Sequence, residues 1–419
     1  MSPDEPTTPH SPPSARGMPS DRRRNSVARC AQFYRSTALV LLNTLVLLIL
    51  INLALWGAHR IASALHGGGD QISPVLQGAY PRMSAAEIGR LLGETKALSY
   101  VYEPFTQFRE APCQGTYVNI SSNGFRLVQG QGPWPPSLDN YNVFVFGGST
   151  TLGCGVADGE TVPSRLQEYL AGHFRKNVSV YNLGRVAYFS TQERVFLEQL
   201  LLAQHRPALA IFIDGLNDNI FRDGQPMYTD SMKEIFRRVR LDSGPTDSLA
   251  VHGWSLPMGR LARRVLARSA LSAAPPPFLV GDNPAPEVVE RYLTNKRLVE
   301  AICNQAGIQT AFVWQPIPVF KCEEKLRPFT SDVGWEPVKE VYQLLEARNQ
   351  QGLLGTNFLW CADIQQGAQE TLYVDRFHYS GVMSRRFAEA IGRLLLEHKL
   401  VSASDGAAGD AKPGNGPAS

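Results

Sequence analysis

Val143-Phe-Val-Phe-Gly-Gly-Ser-Thr150 is a short apolar run that stops on two glycines and a serine. Apolar runs of this length bounded by turn formers fit strands buried on both faces, as in parallel sheets. The same pattern recurs downstream. Val178-Ser-Val-Tyr181 ends at Asn182-Leu-Gly184, and Ala208-Leu-Ala-Ile-Phe-Ile213 ends at Asp214-Gly-Leu-Asn-Asp218. Thr310-Ala-Phe-Val-Trp314 reads as a fourth strand. Helical patterning separates or follows these runs near 162–174, 190–204, 286–306, 336–348 and 381–396. Strands alternating with helices predict an open, parallel α/β sheet with helices on both faces. Ligands of such sheets bind beyond the carboxyl ends of the strands, so the glycine-bearing ends should share one rim.

Outside this domain, the composition sets limits. With 43% apolar and 19% charged residues in 419, the chain has enough apolar side chains for a sizeable core. A net charge of +3 argues against a nucleic-acid partner. The six cysteines include no C-x-x-C pair, so neither a structural zinc nor any other cofactor is expected. Residues 1–35 are rich in Pro, Ser, Thr and Arg and are expected to lack order. Residues 36–58 carry no charge and no proline, and as a helix they span roughly 30 Å, enough to cross a bilayer. An uncleaved transmembrane helix is favoured over a signal peptide, because the apolar run and the tail before it are both long. Arg22, Arg23, Arg24, Arg29 and Arg35 precede it, which predicts a cytoplasmic N-terminus. The rest then lies outside the cytoplasm, on the periplasmic side if the cell is bacterial.

The remaining boundaries follow from pattern changes. Residues 59–140 read as a stalk, helical from Ser84, then a β-rich lead-in with a hairpin between 100 and 128. Residues 141–400 form the α/β domain, within which 221–284 breaks the rhythm as an insertion or lid. Residues 401–419 are Gly/Ala/Pro-rich and are expected to be disordered. Cys322 and Cys361 are candidates for a bridge, although spacing alone does not fix connectivity.

Ser149 follows a strand on a Gly-Gly turn, where the backbone turns tightly and leaves room for a substrate. A serine hydroxyl needs a base to become a nucleophile, and His378, three residues after Asp375, is the best candidate. Asp375 would hold the imidazole's tautomer and stabilise its cation. Donors for an oxyanion are the backbone N–H of Ser149, that of Gly184 and the side chain of Asn217. Cys154 has no obvious base and reads as a small buried residue. Arg126, Arg185 and Arg222 are candidates for binding an anionic substrate, with a solvent-facing role the commoner alternative. A G-x-S-x-G elbow is excluded because Thr151 occupies the last glycine position, and no G-K-[ST] completes a phosphate loop.

Phe146-Gly-Gly-Ser-Thr150, Asn182-Leu-Gly184, Gly215-Leu-Asn-Asp218 and Asp375-Arg-Phe-His378 resemble, in order, blocks I, II, III and V of the SGNH (GDSL-like) hydrolases. The resemblance spans about 141–400. It implies a flavodoxin-like three-layer α/β/α fold. It implies Ser149, Asp375 and His378 as the catalytic triad, and Ser149, Gly184 and Asn217 as the oxyanion hole. One departure stands out: Gly148 replaces the family's Asp before the serine. The implied activity is a serine esterase. Together with the topology, it points to an O-acylated glycan or related envelope ester outside the cytoplasm. An O-acyltransferase, working with a polytopic membrane acyltransferase in polysaccharide modification, is the alternative. A non-catalytic glycan-binding scaffold is another.

Overall fold

The computed structural model describes residues 20–66, 73–173, 177–238, 284–327 and 334–401. Most of the expected insertion (239–283) and the C-terminal tail from 402 lie outside them. The chain divides into two compact units.

In the first unit, α1 (Ser20–His66) is one continuous helix. Its segment Arg29–Ala58, with an 18-residue stretch of mean hydropathy 2.6, is long and apolar enough to cross a bilayer, as a signal sequence also is. The helix begins inside the stretch 1–35 that was expected to lack order. Asp21 to Arg35 contains no proline or glycine, and propagation from an established helix adds a hydrogen bond for each residue fixed.

Among the described residues, the second unit holds seven strands. They are β1 (Tyr100–Glu103), β2 (Gln107–Glu110), β3 (Tyr141–Gly147), β4 (Val178–Asn182), β5 (Leu209–Asp214), β6 (Gln309–Trp314) and β7 (Phe358–Trp360). Strands β3 to β7 form one parallel sheet in the order β4-β3-β5-β6-β7, the flavodoxin-like order. The helices are α2 (Pro74–Ala79), α3 (Ala85–Lys96), α4 (Ser149–Leu152), α5 (Val162–Ala171), α6 (Ser190–Leu202) and α7 (Leu216–Ile220). They continue with α8 (Thr229–Arg238), α9 (Ala285–Ala306), α10 (Glu336–Gln350) and α11 (Gly381–Glu397).

Alternation along each strand divides the core in two. Phe144, Phe146, Phe212, Phe312 and Trp314 face α6, α9 and α10. Val143, Val145, Ile211, Ile213 and Val313 face α5 and α11. The aromatic face is registered across three strands: Phe146 stacks on Phe212 at 4.8 Å, and Phe212 on Phe312 at 5.4 Å. The three layers are therefore α5/α11, the sheet, and α6/α9/α10.

The lead-in belongs to the same compact unit as the sheet. α3 opens with a capping box in which Ser84 and Glu87 satisfy each other's backbone N–H. Near its end, Glu94 accepts the N–H groups of Thr116, Tyr117 and Val118 at 3.0, 2.8 and 3.0 Å, tying the helix to the following loop. The hairpin β1–β2 turns at Pro104-Phe-Thr106. It docks on the loop after β4: Glu110 accepts the N–H of Val186 at 2.7 Å, and the Tyr188 hydroxyl donates to the Phe108 carbonyl at 2.5 Å. Burial pushes the Glu110 carboxyl up against the pull of Arg185.

All six cysteines are free thiols, so the considered Cys322–Cys361 bridge is not formed. Both pack as small buried groups in the aliphatic core, and burial raises both thiols.

Candidate active site

β3 delivers its chain end to the rim where the strand order reverses between β4 and β5. Ser149 stands there as the first residue of α4. Its N–H is at a helix start, where no preceding turn supplies a carbonyl. From the other end of the chain, the loop between Val374 and Ser380 brings in His378. This loop is pinched by the bridge Tyr373–Tyr379 and by the Val374 N–H donated to the His378 carbonyl at 2.9 Å. Ser380 then caps α11, accepting the N–H of Met383, so the loop runs directly into a packed helix.

The three expected side chains meet. His378 Nε2 is 2.9 Å from Ser149 Oγ, and His378 Nδ1 is 2.7 Å from Asp375 Oδ2. The other oxygen of Asp375 accepts the N–H groups of Phe377 and His378, each at 2.8 Å. With Nδ1–H donated to Asp375, Nε2 is left to accept from the serine hydroxyl. The His378 side chain is 19% exposed and Asp375 52%. Desolvation opposes the Asp375 charge, but the His378 imidazolium and these hydrogen bonds hold the carboxyl at about 2. Burial likewise lowers His378, but the Asp375 charge and hydrogen bond outweigh it, with a smaller contribution from Cys154, and raise it to about 10.

Asn217 lies in the first turn of α7, just past β5, and its Nδ2 donates to the Tyr188 carbonyl at 2.6 Å. A Cβ at position 148 would collide with Asn217 Nδ2, so glycine is what lets the amide approach the serine turn. Behind α7, Arg291 on α9 donates to the carbonyls of Asp218, Phe221 and Arg222 at 2.9, 3.0 and 2.5 Å. Ser190 Oγ donates to Asp218 at 2.5 Å. Asp214, Asp218 and Glu193 are buried together beneath this turn, and burial raises all three.

Gly184 does not occupy the place expected of it. Its N–H is donated to Asn182 Oδ1 at 3.1 Å, and its missing side chain makes room for the Leu152 backbone N of α4. Three residues on, Ala187 lines the cavity and adopts the left-handed conformation at φ 60. No acceptor for its N–H is present among the described residues. Alanine seldom adopts such a backbone, so no local signal in the sequence marks it.

Ser149, Asn217, Asp375 and His378 line one cavity of about 360 Å³. Cys154 also lines it, as a small buried thiol packed with Ile120 and Leu152. Arg126, Arg185 and Arg222 do not line it. Arg126 is buried, pairs with Asp158 at 2.8 Å and donates to the carbonyls of Leu152, Gly153 and Val156, bracing the loop after Ser149. Arg185 is buried over the Phe196 ring at 4.0 Å. A second cavity of about 520 Å³ lies elsewhere, beside Tyr80 and Arg385.

No family model matches the sequence, and no curated relative matches it. Several solved structures do. The chain is similar to a member of the lipolytic protein G-D-S-L family from Veillonella parvula, at 11% identity over 61% of this chain and 96% of that one (TM-score 0.33). It is similar to the acetyl xylan esterase AlAXEase, at 11% identity over 60% and 97% (TM-score 0.34). It is also similar to a lipase/acylhydrolase from Enterococcus faecalis, at 14% identity over 61% and 94% (TM-score 0.34).

Proposed function

We propose that this chain is an SGNH-type serine hydrolase that cleaves acyl esters. The observation that carries the reading is the unbroken chain Ser149–His378–Asp375, linked at 2.9 and 2.7 Å and opening on a cavity. Ser149 Oγ attacks the ester carbonyl carbon while His378 Nε2 takes its proton. The carbonyl oxygen becomes an oxyanion. The N–H of Ser149, the amide of Asn217 and the N–H of Ala187, in place of Gly184, are the donors for it. As the intermediate collapses, the alcohol leaves with the proton from His378, and an acyl-enzyme remains. Water then attacks through the same base and releases the acid.

The domain is proposed to work at a membrane, held by α1, with its N-terminus in the cytoplasm on the strength of the five arginines before the apolar run. An acceptor hydroxyl in place of water would make the same acyl-enzyme a transferase.

A fluorophosphonate probe tests the assignment. The full-length protein should be labelled and Ser149→Ala should not. Labelling that persists in the variant, or fails in the parent, removes the reading.

A further inference from the structure

The cavity's lining differs from what an acetylated sugar requires. One wall comes from the segment before the sheet, with Leu92 on α3 and Leu98 and Tyr100 after it. The facing wall comes from the chain after β5, with Leu216, Ile220 and Phe221. Among the described residues, beyond the groups proposed for the chemistry, polar lining is sparse. Lys96, exposed, is the one basic side chain there among the described residues apart from His378. A sugar's hydroxyls would find few partners, and burying them unpaired is costly. An alkyl chain would lose only contact with water.

We propose that the site is selective for esters of medium-length apolar acids, about six to eight carbons, and that the α3 segment sets this preference. The proposal rests on the esterase reading and deepens it. At roughly 30 Å³ for each water-sized group, about 360 Å³ holds such a chain and the first atoms of the leaving alcohol. The wall has a fixed position. Glu94 ties α3 to the 116–118 loop, and Glu110 and Phe108 tie the hairpin to the loop that carries Ala187. A preformed apolar wall takes up an alkyl chain without first paying to order itself.

The test is a chain-length series of p-nitrophenyl esters, acetate to dodecanoate, with the full-length protein in lipid nanodiscs. Transfer of a methylene from water is worth about fourfold in affinity, so kcat/KM should rise on the order of 100-fold from acetate to hexanoate and not fall at octanoate. It should fall again for dodecanoate. Leu98→Asp should lower the hexanoate-to-acetate ratio at least tenfold, and Leu98→Met should keep it. The unchanged fold of the Met variant guards against a general packing effect. A flat series, or a preference for acetate, with Ser149→Ala inactive overturns the chain-length proposal and leaves the esterase reading standing. Full hydrolysis by Ser149→Ala overturns both.

Discussion

His378 Nε2 lies 2.9 Å from Ser149 Oγ although 229 positions separate the two residues in the chain. β3 and the Gly147-Gly148 turn place the serine, and the pinched loop before α11 places the imidazole, so neither depends on the other for its position. Preorganisation of this kind allows proton transfer without a costly rearrangement.

Replacing Ser149 by alanine should lower kcat on p-nitrophenyl esters by at least about 10³-fold, with little loss of stability. Steady-state kinetics beside a thermal melt would separate the two effects. Wild-type turnover in the variant would rule out Ser149 as nucleophile.

The base must be neutral to act, and Asp375 holds His378 at about 10. The neutral fraction therefore grows as pH rises, and kcat/KM should climb from pH 7 with its midpoint near pH 10 and level off only above it. Asp375→Asn removes the charge that raises the imidazole, so the rising limb should move acid-ward, toward the ordinary histidine value of about 6.5. Turnover should drop by about 10⁴-fold at the same time. A limb that stays in place in the variant would show that another group controls it.

Gly148→Ala should act through Asn217. The added Cβ meets the Asn217 amide, which is the group proposed to donate to the oxyanion. Both Gly148→Ala and Asn217→Ala should lower kcat by about two to three orders of magnitude with little change in KM. The double variant should be no worse than the poorer single one, because both remove the same donor. Additive losses would assign Gly148 a separate role.

Arg126 should matter for folding rather than chemistry. Its guanidinium is buried and pairs with Asp158 while satisfying three carbonyls of the loop after Ser149. Arg126→Ala leaves those carbonyls without their donor and should cost about 3 kcal/mol. Urea unfolding would show a lower midpoint, and a midpoint equal to the parent's would contradict the bracing role.

The sequence and the structure agree most where local patterning is strong. β3 to β6 and α5, α6, α9, α10 and α11 fall within a few residues of their expected spans, because continuous apolar runs and helical spacing carry their own signal. β7 was not legible: Phe358-Leu-Trp360 is too short to display a period, and pairing with β6 is what makes it a strand. The lead-in was legible as a helix and a hairpin, but not as a wall of the cavity. Contacts such as Glu94 with Thr116 leave no local mark.

By itself, the sequence singled out the residues proposed to carry the chemistry. Ser149, Asn217, Asp375 and His378 each sit at a strand end or in a loop whose residue types already restrict their use. Only the tertiary structure distinguishes the settings of Gly184 and Ala187. A glycine can serve either close packing or a positive φ, and nothing local distinguishes the two. Here Gly184 packs against α4, while Ala187 takes the left-handed turn at the cavity. The same holds for Gly148, whose missing side chain acquires its meaning only when β5 brings Asn217 against it. Through-space contacts between distant segments set these roles, and a reading of neighbouring residues has no access to them.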